Sequence, residues 1–286
     1  TPDTITINSN KDDFKIKGSI WSGKSFYELY QEAFTPWEWH KKLFDVAKEE
    51  GLICFSSPFD KTAVDFLETL NVPAYKIASF EITDIPLIEY VASKGKPLII
   101  STGIANKDDI TLALDACNKV GNNNIALLKC TSSYPAPLDE ANLLMVKELA
   151  NYFNVITGLS DHTLGSIAPI VATSLGAKII EKHFILDRSI GGPDSSFSMN
   201  EEEFTKMVKS VRDAETAIGR VNFDLTKKQK KARDFSRSLY VVKDMKKGDE
   251  ITENNVKSIR PGFGLHPKYL PEILGRRVIK NLEKGD

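Results

Sequence analysis

The chain has 286 residues, 41% of them hydrophobic and 27% charged, with a formal net charge of -1; that balance is ordinary for a globular protein with room for one barrel-sized domain and something small. It leaves no basic footprint for nucleic acid, and no apolar run approaches the roughly 20 residues of a membrane-spanning helix. Three cysteines, Cys54, Cys117 and Cys130, are odd in number and lack CxxC spacing, which reads as reduced thiols in a cytoplasmic enzyme, with no disulfide framework, no zinc site and no assigned role.

Residues 1 to about 34 are polar and turn-rich and read as a long loop. From there short apolar stretches alternate with helical patterns. The strand candidates are Leu52–Phe55, Ala74–Ile77, Leu98–Ile100, Ile125–Leu128, Asn154–Thr157 and Lys178–Ile180, each too short for a helix and suited to a strand buried on both faces. Helical spacing runs after Thr35-Pro36, and again over Pro58–Leu70, Ile85–Ser93, Lys107–Val120, Leu138–Tyr152 and Ile167–Leu175. Such alternation predicts parallel βαβ units. The fold class is therefore α/β, a (β/α)8 barrel lacking its N-terminal strands in this chain, with six parallel strands present and an open apolar seam between the first and the last of them. A polar loop over Asp187–Ser196 leads into an amphipathic helix from Glu201 to Ile218. The barrel is assigned to residues 1–219. Residues 220–235, with Lys227–Lys231, read as a solvated linker, and 236–286 as a second module too small to be stable by itself.

Residues at strand C-termini build the active site of a barrel, and here those elbows are polar. Two of only four histidines, His162 and His183, close successive strands. Neighbouring strands lie about 5 Å apart, so the two side chains can share one ion; either histidine alone is equally well a hydrogen-bonding strand end. Two imidazoles with open positions suit a catalytic divalent transition ion. Lys76 is a cation inside an apolar strand and needs an acid or an anionic ligand beside it. Ser57, Ser79, Ser101 and Ser160 on neighbouring elbows supply the hydroxyls and backbone donors that hold phosphate, although each alone is a normal turn residue. A Schiff-base role for Lys76 competes with the phosphate reading. Glu81, Glu181 and Asp194 are rim acids; Glu81 is placed for general acid–base work, and a Gly-Pro-Asp-Ser turn accounts for Asp194 on structural grounds.

At Lys76-Ile-Ala-Ser79-Phe-Glu81, Ser101-Thr-Gly103, Gly158-Leu-Ser-Asp-His-Thr163, Glu181-Lys-His-Phe184, Gly192-Pro-Asp194 and Arg260-Pro-Gly262, the chain resembles the sialic acid synthase (NeuB-like) family over nearly its whole length. Thr35-Pro-Trp-Glu-Trp-His40, Ser57–Val64 and Gly262–Pro267 are similar to its pseudaminic acid branch. The resemblance implies a barrel joined to a C-terminal antifreeze-like (SAF) domain, here cut short at its end, and a transferase forming a C–C bond from phosphoenolpyruvate. The acceptor would be an open-chain 2,4-diacetamido-2,4,6-trideoxy hexose and the products a nine-carbon 2-keto acid and phosphate. N-acetylneuraminate and legionaminic acid synthases are the alternatives within the family; Ser132 stands where the N-acetylneuraminate branch commonly has Asn, which favours a different sugar. A non-catalytic sugar-binding or ice-binding protein is the alternative of another class.

By the same resemblance His162 and His183 hold the ion, usually manganese, with magnesium and cobalt as alternatives. Ser57, Lys76, Ser79, Ser101 and Ser160 hold phosphoenolpyruvate, and Glu81 shuttles protons. Ser132, Tyr134, Glu181 and Asp194 contact sugar or intermediate. Arg260 enters the active site of the partner in a domain-swapped homodimer, a role that disfavours ice binding. An acidic residue of the family's first strand, and a lysine and glutamine of its second, fall before Thr1, so the chain as given is expected to be inactive.

Overall fold

Five of the six apolar stretches become neighbours in one parallel sheet, in the order in which they occur in the chain. The strands are β1 (Tyr75–Ile77), β2 (Leu98–Ser101), β3 (Ile125–Cys130), β4 (Ile156–Asp161) and β5 (Ile179–Lys182). Between them run α4 (Ile85–Ala92), α5 (Lys107–Lys119), α6 (Leu144–Phe153) and α7 (Ile167–Ser174); α1 (Phe26–Ala33), α2 (Trp37–Glu49) and α3 (Lys61–Thr69) precede the sheet and α8 (Glu201–Ile218) follows it. The computed structural model describes residues 1–286 and divides into two units, Thr1–Gly219 and Arg220–Asp286.

The sixth expected strand is not formed. Leu52–Phe55 has no ladder, and the segment touches the sheet only through a single parallel bridge from Ser56 to Tyr75. Leu52 and Ile53 are 67% and 79% exposed, so their apolar side chains find no layer to pack against; β-structure at such a position lacks the burial that normally stabilises it. The leading segment differs from expectation in the other direction. It carries helix α1, whose N-terminus is closed by a reciprocal Ser25 and Glu28 capping box, a signal present in the sequence as S-x-x-E.

Register and alternation decide which side chains face the interior. In β4 and β5, Leu159 and Ile180 pack against Val146 of α6 and Ala168 and Ala172 of α7, so these positions look outward to the helices. With a period of two, Gly158, Ser160 and His162, and Ile179, Glu181 and His183, look the other way. Gly158 is small for a reason: a Cβ there would lie 2.3 Å from the Ile179 carbonyl oxygen.

The sheet is strongly curled. β1 and β5 are its two outer strands, and four flat interstrand spacings would put them about 19 Å apart. Lys76 Nζ on β1 nevertheless lies 3.3 Å from Glu181 Oε1 on β5, a contact that only barrel-like curvature allows. On the outer face Val64, Leu67, Tyr75, Ile77, Ile88, Leu98, Ile100 and Leu127 form the main core, each large aliphatic side chain contributing about 1.5–3 kcal/mol by burial.

In the second unit α9 (Lys227–Ala232) occupies much of the stretch expected to be linker. An antiparallel pair, β6 (Ser238–Val241) and β7 (Val256–Ile259), follows, with a core of Leu239, Val241, Met245, Val256 and Val278.

Candidate active site

The C-terminal ends of β1, β3, β4 and β5 bring together most of the residues singled out from sequence, in two adjoining groups. One is built on hydroxyls and charge. Lys76 is buried to 7% exposure, and its charge is met by Glu181, which also accepts a 2.6 Å hydrogen bond from Ser160 Oγ. Ser57 lies beside Lys76 and Glu181 in the wall of a groove of about 440 Å³. Next to them Ser79 Oγ accepts hydrogen bonds from the Gly103 N–H at 2.6 Å and from Ser132 Oγ at 3.0 Å. Gly103 permits this close approach: a Cβ there would lie 2.2 Å from Ser132 Oγ and 2.4 Å from Ser79 Oγ, so any larger residue displaces the hydroxyl pair.

Two further groups in this half are buried without a partner, Ser101 Oγ and Glu81 Oε2. Burial raises the Glu81 carboxyl pKa above its ordinary value; its own backbone N–H and the Lys76 charge oppose that shift and Asp84 adds to it. A carboxyl held toward its neutral form can donate a proton.

The other group is built on rings. The His162 and His183 centroids are 5.1 Å apart. Tyr134 lies 4.3 Å from His162, and Phe197 lies 4.9 Å from His183. His162 Nδ1 donates to the Thr131 carbonyl at 2.9 Å, which leaves Nε2 with its lone pair, the arrangement of a metal-ligating imidazole held by a backbone acceptor. Burial draws the His162 pKa down, but Cys130 Sγ at 3.8 Å, through its hydrogen bond and the charge of its ionised form, the Thr131 carbonyl and Asp161 more than offset it, and the net shift is upward. His183 Nδ1 lies 3.4 Å from Asp194 Oδ2. This donor set fits a divalent ion as an open site of two imidazoles; no cluster of three or more His, Cys, Asp or Glu closes it, so the remaining positions would be left to water and substrate.

The sequence reading missed several participants. Trp21, from the leading segment, packs against Tyr134 in a tilted arrangement with ring centroids 5.2 Å apart and donates from Nε1 to the Pro193 carbonyl at 2.9 Å, tying down the loop that carries Asp194. Phe197 and Cys130 are also absent from the sequence-derived set. Of the three thiols, Cys54 is only partly covered, whereas Cys117 and Cys130 are buried. Arg260 belongs to the second unit, where it is exposed and precedes a cis proline.

Residues 1–223 match the NeuB family and residues 236–286 the SAF domain. The chain belongs to the NeuB family. It is 48% identical over 286 residues to a pseudaminic acid synthase of Campylobacter jejuni, covering 100% of this chain and 83% of that protein. It is 49% identical to the pseudaminic acid synthase of Helicobacter pylori, covering 99% of this chain and 84% of the relative. Among solved structures, the Bacillus subtilis spore coat polysaccharide biosynthesis protein SpsE superposes with a TM-score of 0.63 at 32% identity, over 96% of this chain and 82% of that one. The expected inactivity of the chain as given finds no support in these NeuB relatives, of whose lengths it spans 83% and 84%. No helix is long and apolar enough to cross a membrane.

Proposed function

We propose that this NeuB-family chain is a pseudaminic acid synthase, condensing phosphoenolpyruvate with an open-chain 2,4-diacetamido-2,4,6-trideoxy hexose in the cytoplasm. The observation that carries the reading is the adjacency of a lysine-and-hydroxyl group and an imidazole pair on one curled rim; identities of 48% and 49% to pseudaminic acid synthases favour that sugar over other nonulosonic acids.

Lys76, with the Ser57, Ser79, Ser101 and Ser160 hydroxyls, receives the phosphate, and Glu181 holds the lysine in place until it arrives. Charge-assisted contacts of this kind are the strong ones, and they stabilise phosphate as it leaves. His162 and His183 would hold a divalent ion, manganese by family resemblance, which when bound supplies Lewis-acid polarisation of the sugar aldehyde. The C3 of phosphoenolpyruvate then bonds to the aldehyde carbon, whose oxygen takes a proton. Water adds at C2 and loses a proton; the C2–O bond to phosphate then breaks, phosphate leaving with the bonding pair while the new C2 hydroxyl gives up its proton to become the keto group. Glu81, kept toward its neutral form by burial, is the proton store for these transfers. Ser132, Tyr134 and Asp194 face the sugar, with Trp21 and Phe197 as apolar walls for its acetamido methyls.

The test is to supply phosphoenolpyruvate with a panel of acetamido sugars and follow phosphate and 2-keto acid together. One phosphate per keto acid, greatest with the trideoxy sugar and lost on chelation, is the expected result. Phosphate release without sugar, or a borohydride-trapped pyruvate adduct on Lys76, sinks the proposal. The exposed Arg260 is proposed to act across a swapped homodimer. Arg260→Ala mixed with His183→Ala should then regain activity on subunit exchange; exchange without recovery rules that out.

A further inference from the structure

Directly beneath the two rim histidines, on the opposite face of the sheet, lies an ion pair that the chemistry above does not use. Asp161 and Lys182 are register partners on β4 and β5. Their carboxylate and ammonium meet at 2.6 Å, with both side chains 1% exposed. They occupy the outward row continued from Leu159 and Ile180, against the helices. A buried pair in such a place gives little net stability over an apolar pair of the same volume, so its hydrogen bonds are more informative than its charge.

Those bonds converge on one backbone unit. Asp161 Oδ1 accepts from the Thr163 N–H at 2.9 Å, and Lys182 Nζ donates to the Thr163 carbonyl. Residue 162 is thus held between two pinned neighbours, both tied to β5 through Lys182. Lys182 in turn immediately precedes His183. The contact therefore couples the backbone that carries one imidazole to the backbone that carries the other. Other backbone bonds do not accomplish this: β4 ends at Asp161 and β5 at Lys182, and the carbonyls of His162 and His183 accept from the Ala136 and Met199 N–H groups, which tie each histidine to a different neighbour and not to the other strand.

We propose that Asp161 and Lys182 are positioning residues, a clasp that sets the spacing of His162 and His183. The inference rests on the imidazole pair being the functional centre, and its test separates the two claims. In the 286-residue chain with isotope-labelled histidine, the ring-to-ring nuclear Overhauser effect between His162 and His183 reports their distance without metal, and manganese titration reports affinity.

Asp161→Asn, Lys182→Met and the apolar double variant Asp161→Leu with Lys182→Met are compared with the native chain. A merely structural pair predicts that the double variant, once folded, keeps the native ring contact and affinity. The clasp predicts that it loses the ring contact and weakens manganese about tenfold or more, the usual effect of removing a group that orients a metal ligand, although its melting temperature is close to native. Native ring contact in the double variant overturns the proposal; should that variant not fold, native contact in Asp161→Asn does so. If manganese perturbs neither ring of the native chain, the metal reading fails, while the ring contact still decides the clasp.

Discussion

The two halves of the rim present their polar groups in different ways. In the Lys76 half most groups satisfy one another, lysine with Glu181, Glu181 with Ser160, and Ser79 with Ser132 and the Gly103 amide, while Ser101 Oγ and Glu81 Oε2 are left without a partner. In the histidine half the rings are packed against Tyr134 and Phe197, with one nitrogen of His162 bound to a carbonyl. On the proposed reading the first arrangement would exchange internal partners for an anion. The second would use aromatic packing to orient ring nitrogens toward a ligand. A reaction that joins a phosphate-bearing nucleophile to a carbonyl needs both.

The sharpest way to break the comparison is to remove a ring. His183→Ala, and separately His162→Ala, should lower kcat by about a thousandfold, since carbonyl activation supplies several kcal/mol, while far-UV circular dichroism stays native. Activity within tenfold of native would mean that the ring half is only packing.

Gly103→Ala attacks the other half with a single methyl group. Its Cβ occupies the space of the Ser79 and Ser132 hydroxyls, and overpacking of this kind costs about 1–3 kcal/mol. The expected result is an approximately tenfold or greater rise in KM for phosphoenolpyruvate with a smaller change for the sugar, read from initial rates with each substrate varied.

A smaller effect concerns pH. Because burial raises the folded-state pKa of Glu81 above its ordinary 4.5, folding favours the protonated form. Its stability contribution is complete below 4.5 and is lost as pH rises through the folded value. Glu81→Gln, which is always neutral, should match the native chain in urea unfolding at about pH 4 and exceed it increasingly toward pH 7. A gap that is constant with pH would contradict the assignment.

The residues that declared themselves in the sequence were those whose chemistry conflicts with their surroundings. Lys76 in an apolar strand, and two histidines each closing a strand, stand out against a simple period-two pattern, and the structure places them together. The strand order followed from the alternation of strands with helices. Less legible were groups whose role depends on distant partners. Trp21 meets Pro193 across 172 positions, and Gly103 matters only because Ser79 and Ser132 converge on it. The apolar run Leu52–Phe55 looked like a strand because propensity does not register whether a neighbouring layer is there to cover it. Asp161 and Lys182 could have been found, since each sits one residue before a motif histidine, but charge within a strand end reads equally well as exposed.

The division of labour between the two halves is tested most directly by binding of phosphoenolpyruvate alone, without sugar or metal, followed by calorimetry. The His162→Ala, His183→Ala double variant should bind it with an affinity within about threefold of native, and Lys76→Met should weaken it about tenfold or more, the value of a charge-assisted contact. Loss of binding in the histidine variant, or native binding in Lys76→Met, would contradict the account.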